Sequence, residues 1–107
     1  MISTHILDTS QGCPAGGVQV LLEVLQGEKW VKVSEKKTNT EGRISFDVPR
    51  DPGTFRMSFE IDSYFHSKNQ ESFFLTTPVV FKVADTTRNY HVPLLVSPYG
   101  YTTYRGS

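Results

Sequence analysis

Thr54-Phe55-Arg56-Met57-Ser58-Phe59-Glu60-Ile61 sets Phe55, Met57, Phe59 and Ile61 on one side of an extended chain, and Arg56, Ser58 and Glu60 on the other. A repeat of two is the period of a strand with one face in a core and one in water. Outward from this stretch, Val31 and Val33 alternate in the same way with Lys32 and Ser34. Turn-forming clusters recur at 10–14, 39–42, 49–53 and 97–100, and the segments between them are rich in Val, Ile, Leu, Phe, Tyr and Thr. Such residues fit a pleated, half-buried surface. Strands are expected over 4–9, 17–25, 30–38, 44–48, 54–61, 79–84, 88–96 and 101–105. One short helix is expected over 62–69, capped by Asp62 or Ser63, with Tyr64 and Phe65 turned inward. About eight short strands and no long helix specify an all-β fold, a two-sheet antiparallel β-sandwich.

At 107 residues the chain is one domain, 1–107, long enough to bury a core without a metal or disulfide. Eleven basic and eleven acidic residues cancel, which removes the electrostatic footprint of a nucleic-acid or polybasic membrane binder. The single cysteine, Cys13, excludes an internal disulfide and a multi-cysteine zinc site. No apolar run approaches bilayer length. The opening residues show no charged stretch followed by an apolar one, so the expected compartment is the cytoplasm, with periplasm and peroxisome left open. A Gly-rich phosphate loop, a nucleophile elbow and a His-Glu-x-x-His helix are all missing.

Leu94-Leu95-Val96-Ser97-Pro98-Tyr99-Gly100-Tyr101 carries the most local information. Pro98 pre-sets one turn dihedral and Gly100 is free to take a positive φ, so a tight hairpin returns 101–107 along 88–96. A two-residue loop pairs Ser97 with Gly100 and sets His91 opposite Gly106; a three-residue loop sets it opposite Ser107. Tyr90, Val92, Leu94 and Val96 form an apolar stripe that reads as core. His91 then shares the outer face with Pro93 and Leu95, a composition that suits an interface or groove.

His5 lies in the first strand, opposite in direction to Ile6, and Arg43 stands at the mouth of the 39–42 turn. Asp8, Asp47 and Asp85 are candidate partners for either histidine. Two imidazoles and a guanidinium can hydrolyse an anionic or enolisable small molecule, one ring moving the proton of water and the cation holding developing charge. Read singly, each has an ordinary explanation: strand histidines and turn arginines are mostly solvated, and a terminal tetrapeptide mostly frays. His66 reads as a surface residue and Cys13 as incidental.

Ser3-Thr4-His5-Ile6-Leu7-Asp8-Thr9 with Gly12-Cys13-Pro14-Ala15 resembles the opening of the transthyretin-like family. Thr40-Glu41-Gly42-Arg43 resembles its Asp/Glu-Gly-Arg turn. Tyr90-His91-Val92-Pro93-Leu94-Leu95 and 97–107, ending Tyr104-Arg105-Gly106-Ser107, resemble its closing signature. The resemblance is to the 5-hydroxyisourate hydrolase branch, which has His, Arg, His and a Tyr-Arg-Gly-Ser end where carrier transthyretins have Lys, Glu, Thr and no such end. Leu75, after Phe73-Phe74, departs from the family's usual Pro. The resemblance implies an eight-stranded sandwich assembled as a homotetramer, a dimer of dimers, with a channel along the outer face of the first, seventh and eighth strands. It also favours the two-residue hairpin loop. It implies cofactor-independent hydrolysis of 5-hydroxyisourate, with His5, Arg43 and His91 catalytic and His5, Arg43, Tyr104, Arg105, Gly106 and Ser107 binding substrate; no metal is implied. The runner-up is a non-catalytic carrier holding an aromatic anion, against which the bulk of Tyr104 at the channel mouth argues.

Overall fold

A computed structural model of the chain describes residues 1–48 and 51–107. The first two residues of the expected 49–53 turn lie outside the described residues. The strands are β1 (Ile2–Asp8), β2 (Cys13–Pro14), β3 (Gln19–Gln26), β4 (Lys29–Lys37), β5 (Arg43–Phe46), β6 (Gly53–Glu60), β7 (Thr76–Val83), β8 (Tyr90–His91), β9 (Leu94–Ser97) and β10 (Gly100–Thr103), with one helix, α1 (Ile61–Ser67). They form two sheets. One runs β10-β9-β1-β2, with β5 and β8 also paired to β1; the other runs β4-β3-β6-β7.

The expected sandwich with one short helix is the observed architecture. Phe55, Met57 and Phe59 are buried as the alternation in β6 requires; Ser58, expected in water, is buried too, and Ile61, expected as the strand's last residue, is buried as the first residue of α1. These apolar side chains meet Ile2, Ile6, Phe46 and Leu94 from the other sheet in a single apolar core. The expected 88–96 strand is split into β8 and β9, because Pro93 lacks the N–H that would continue the ladder.

The pairing is not antiparallel throughout. β1 runs parallel to β8 and β9, with Ser3 beside His91 and Ile6 beside Leu94. Parallel neighbours need a long crossover, and here almost the whole chain supplies it. In β4 the alternation breaks at a bulge, where Ser34 opposes Leu22, Lys32 opposes Glu23 and Val33 is the extra residue. The two-residue strand β2, expected as part of a turn, pairs with the end of β1.

The helix begins one residue earlier than expected, directly from β6. Glu60 therefore occupies the N-cap position without a side-chain bond, and Asp62 falls in the first turn. Neither Asp62 nor Ser63 is the cap; a carboxylate in the first turn still complements the positive end of the helix. Tyr64 and Phe65 are buried as expected. The Tyr64 hydroxyl donates to Asp8 Oδ2 at 2.9 Å. Burial and that carboxylate raise the Tyr64 pKa. Asp8 is itself fully buried, and its Oδ1 accepts from the Ser10 N–H, the Ser10 hydroxyl and the Gln11 N–H. Tyr64→Phe strands a buried carboxylate oxygen, so we expect unfolding free energy to fall by about 1–3 kcal/mol. Urea melts followed by Trp30 fluorescence would read this loss, with strand content unchanged.

Candidate active site

β1 alternates along its length: Ile2, Thr4, Ile6 and Asp8 are buried, and Ser3, His5 and Leu7 are half-buried on the outer face. The same alternation in β5 buries Ile44 and Phe46 and turns Arg43 and Ser45 outward. His5 and Arg43 are direct partners across the β1–β5 ladder. Ser3 and His91 are direct partners across the β1–β8 ladder. His5 is therefore a diagonal neighbour of His91 on the same face. Two imidazoles and one guanidinium, drawn from three distant parts of the chain, share one outer face.

Arg43 is aimed by the turn that precedes it. Asn39 Oδ1 accepts from the Glu41 and Arg43 N–H groups, and the Asn39 carbonyl accepts from Gly42 N–H at 2.9 Å. Gly42 has φ +75°, and a Cβ there would meet the Ile6 carbonyl oxygen at 2.5 Å. Only glycine allows the turn to close on β1, and Gly42 returns the contact by accepting from Ile6 N–H at 2.8 Å.

His91 is the most constrained of the three. Its Nδ1 lies 2.8 Å from Ser3 Oγ, and its carbonyl accepts from Gly106 N–H at 2.8 Å. Burial, then the Arg43 charge, then His5, holds its pKa below the ordinary imidazole value. A ring so shifted is neutral at neutral pH and able to accept a proton.

The hairpin adopts the two-residue register. Ser97 pairs with Gly100, Thr102 with Leu95, and His91 bridges to Gly106. Gly100 does not use the positive φ expected of it; Pro98 and Tyr99 make the turn without it. The same register carries Tyr104 and Gly106 to the His91 side. Arg105 falls on the other side, with its guanidinium 4.9 Å from the Tyr90 ring. Arg105 therefore does not share the outer face of His5 and Arg43, although it lines the same small cavity as His91 and Tyr104. Ser107 and Tyr104 are exposed next to the bridge. Pro93, expected on the outer face, is buried; a Cβ on Gly106 would lie 3.2 Å from its Cγ.

A cavity of about 160 Å³ opens beside His91, walled by Phe81, Tyr90, Val92, Tyr104 and Arg105. A larger open hollow of about 700 Å³ lies along α1, lined by Asp62, His66, Gln70 and Glu71. None of the three cationic or imidazole side chains reaches that hollow. In the single chain, His5 and Arg43 stand on an open face. Two of the three candidate aspartates are engaged elsewhere: Asp8 is held by Ser10, Gln11 and Tyr64, and Asp85 accepts from Thr87. Among the described residues, no group of three or more His, Cys, Asp or Glu is placed to hold a metal ion. His66 and Cys13 are exposed. Ser3 is the residue that sequence reasoning missed as a partner. Nothing local marks it, because its neighbour lies 88 positions away.

The fold and the face together define a class: a two-sheet sandwich with an imidazole-rich outer sheet face suited to a small polar ligand. The profile of the HIUase/Transthyretin family matches residues 2–106, and the chain belongs to that family. It is 44% identical over 110 residues to a 5-hydroxyisourate hydrolase of Salmonella typhimurium, covering 100% of this chain and 81% of that one. It superposes on a Klebsiella pneumoniae 5-hydroxyisourate hydrolase with a TM-score of 0.86 and 37% identity, over 99% of this chain and 98% of that one. It also superposes on sea bream transthyretin in complex with thyroxine, with a TM-score of 0.93 and 26% identity, over 98% and 93% of the two chains.

Two outcomes follow from this geometry. In Arg43→Gln, removing a cation that opposes the imidazolium moves the His91 titration midpoint upward, as an NMR pH titration of the ring would show. In Gly106→Ala, the new Cβ would sit 2.5 Å from His91 Cδ2. The ring or the tail must then shift, and the His91 ring resonances change without loss of the folded amide spectrum.

Proposed function

We propose that the outer face carrying His5, Arg43 and His91 hydrolyses 5-hydroxyisourate to 2-oxo-4-hydroxy-4-carboxy-5-ureidoimidazoline, a ring opening in urate degradation. The convergence of these three side chains on one face carries the reading, and membership of a family with named hydrolases supports it.

Each residue's role follows from its environment. His91, neutral and with Nδ1 already engaged, takes a proton from water as the oxygen attacks the ring carbonyl. Arg43 forms no ion pair among the described residues, so its charge is available to the developing oxyanion. As the tetrahedral intermediate collapses, the carbon–nitrogen bond breaks and the leaving ring nitrogen receives a proton from the imidazolium, with His5 placed to orient water or relay that proton. Tyr104 and Ser107, held beside His91 by the Gly106 bridge, position the substrate at the rim.

The open face in the single chain fits a homotetramer built as a dimer of dimers, in which a second copy covers His5 and Arg43 and forms a channel. The alternative is a carrier that binds an aromatic anion without turnover. The likeness to the thyroxine-bound sea bream protein supports it. It leaves the low-pKa imidazole without a task.

Substrate generated from urate by urate oxidase separates the two. Its absorbance should decay faster when this protein is added, and an unchanged decay favours the carrier. His91→Asn should keep the assembly, by sedimentation, and lose a factor of roughly 10²–10⁴ in turnover. Full activity in that variant would remove His91 from the mechanism.

A further inference from the structure

Proton transfer at one nitrogen of an imidazole depends on what holds the other, because the hydrogen bond at the second nitrogen fixes the tautomer. His91 is held on two sides. Ser3 Oγ stands 2.8 Å from Nδ1. On the opposite edge, the backbone of Gly106 lies so close that a Cβ there would come within 2.5 Å of Cδ2 and 3.2 Å of Cγ. The part of the ring left unheld is the Cε1–Nε2 edge.

Both clamps are anchored by the main chain. The Ser3 carbonyl accepts from Val92 N–H at 2.9 Å, and Gly106 N–H donates to the His91 carbonyl at 2.8 Å. Ser3 also sits in β1, with Ser45 on its other side. Its hydroxyl has no other hydrogen-bond partner among the described residues. A serine oxygen in that position can accept from Nδ1–H as well as donate to a bare Nδ1. The surrounding charge chooses between these. Arg43 from β5 and His5 from β1 act on the ring, and Tyr104 of the tail lies on the same face. A cation facing the imidazole favours the tautomer that presents a lone pair to the site and keeps the N–H against the sheet.

We propose that Ser3 is a positioning residue: its Oγ accepts the Nδ1–H of His91 and holds the ring in the tautomer whose Nε2 is the free base. The catalytic part of this assignment rests on the hydrolase reading above. The tautomer part does not.

The test uses the whole chain as Ser3→Ala and Ser3→Thr, each checked for a native amide spectrum. Imidazole ¹⁵N shifts at a pH where His91 is neutral should show Nδ1 protonated in the parent protein and in Ser3→Thr. They should move toward Nε2–H in Ser3→Ala. With urate-derived substrate, Ser3→Ala should lose roughly tenfold in kcat with KM within about twofold, the size expected when one hydrogen bond is lost. Ser3→Thr should stay within about twofold of the parent. An Nε2–H tautomer in the parent protein overturns the proposal, as does a Ser3→Thr variant as impaired as Ser3→Ala, since side-chain size would then matter and the hydroxyl would not. If no form hydrolyses the substrate, the hydrolase reading fails, and the ¹⁵N shifts still decide the role of Ser3.

Discussion

Everything described here depends on how β1 is bound along both edges. One edge pairs with β5 and β2 and the other with β8 and β9, so a strand from the start of the sequence lies between segments from its middle and its end. The inward side chains of that strand, Ile2, Thr4, Ile6 and Asp8, are almost fully buried. Its outward ones, Ser3 and His5, are thereby fixed against Arg43 on one flank and His91 on the other. The core-forming alternation and the site-forming alternation are one pattern seen from its two sides. A slip of one residue in β1 would destroy both.

Two arginines show how the same side chain is used in opposite ways. Arg56, on the outer face of the other sheet, is neutralised by Glu23 at 2.7 Å and lies 4.3 Å over the Trp30 ring. Its donors are engaged and its charge is spent on structure. Arg43 has no carboxylate partner among the described residues, and its charge adds to burial in lowering the pKa of His91. Arg43 is exposed and beside two imidazoles, one of them shifted in pKa, a combination that marks a functional-site candidate.

Much of this was legible in the residues. The alternation of Phe55, Met57 and Phe59 fixed a half-buried sheet; Pro98 placed a tight hairpin but left two registers open, and the family resemblance favoured the one that sets His91 against Gly106. The motif resemblance brought His5, Arg43 and His91 together before any coordinates did. What local reasoning could not see were the non-local pairings. Ser3 beside His91 arises from a parallel ladder between segments 88 positions apart, and no periodicity within either segment encodes it. The orientation of Arg105 toward Tyr90 was readable in principle, since strand alternation sends neighbours to opposite sides. Grouping the last four residues as one motif obscured it. Asp8 is a related case: a candidate partner for a histidine in sequence, it is occupied by Tyr64 and its own turn.

The parallel seam between β1 and β8–β9 also dictates when the molecule can finish folding. During synthesis, β2 and β5 can pair with one edge of the first strand early, but its other edge must wait until the last fifth of the chain emerges. Its sticky apolar residues are exposed throughout that interval, a period in which chaperones or sister chains can capture them. Because His91 joins His5 and Arg43 only when that seam closes, a form lacking the seam does not carry the complete face. The three side chains share one face only after the last long-range pairing is made.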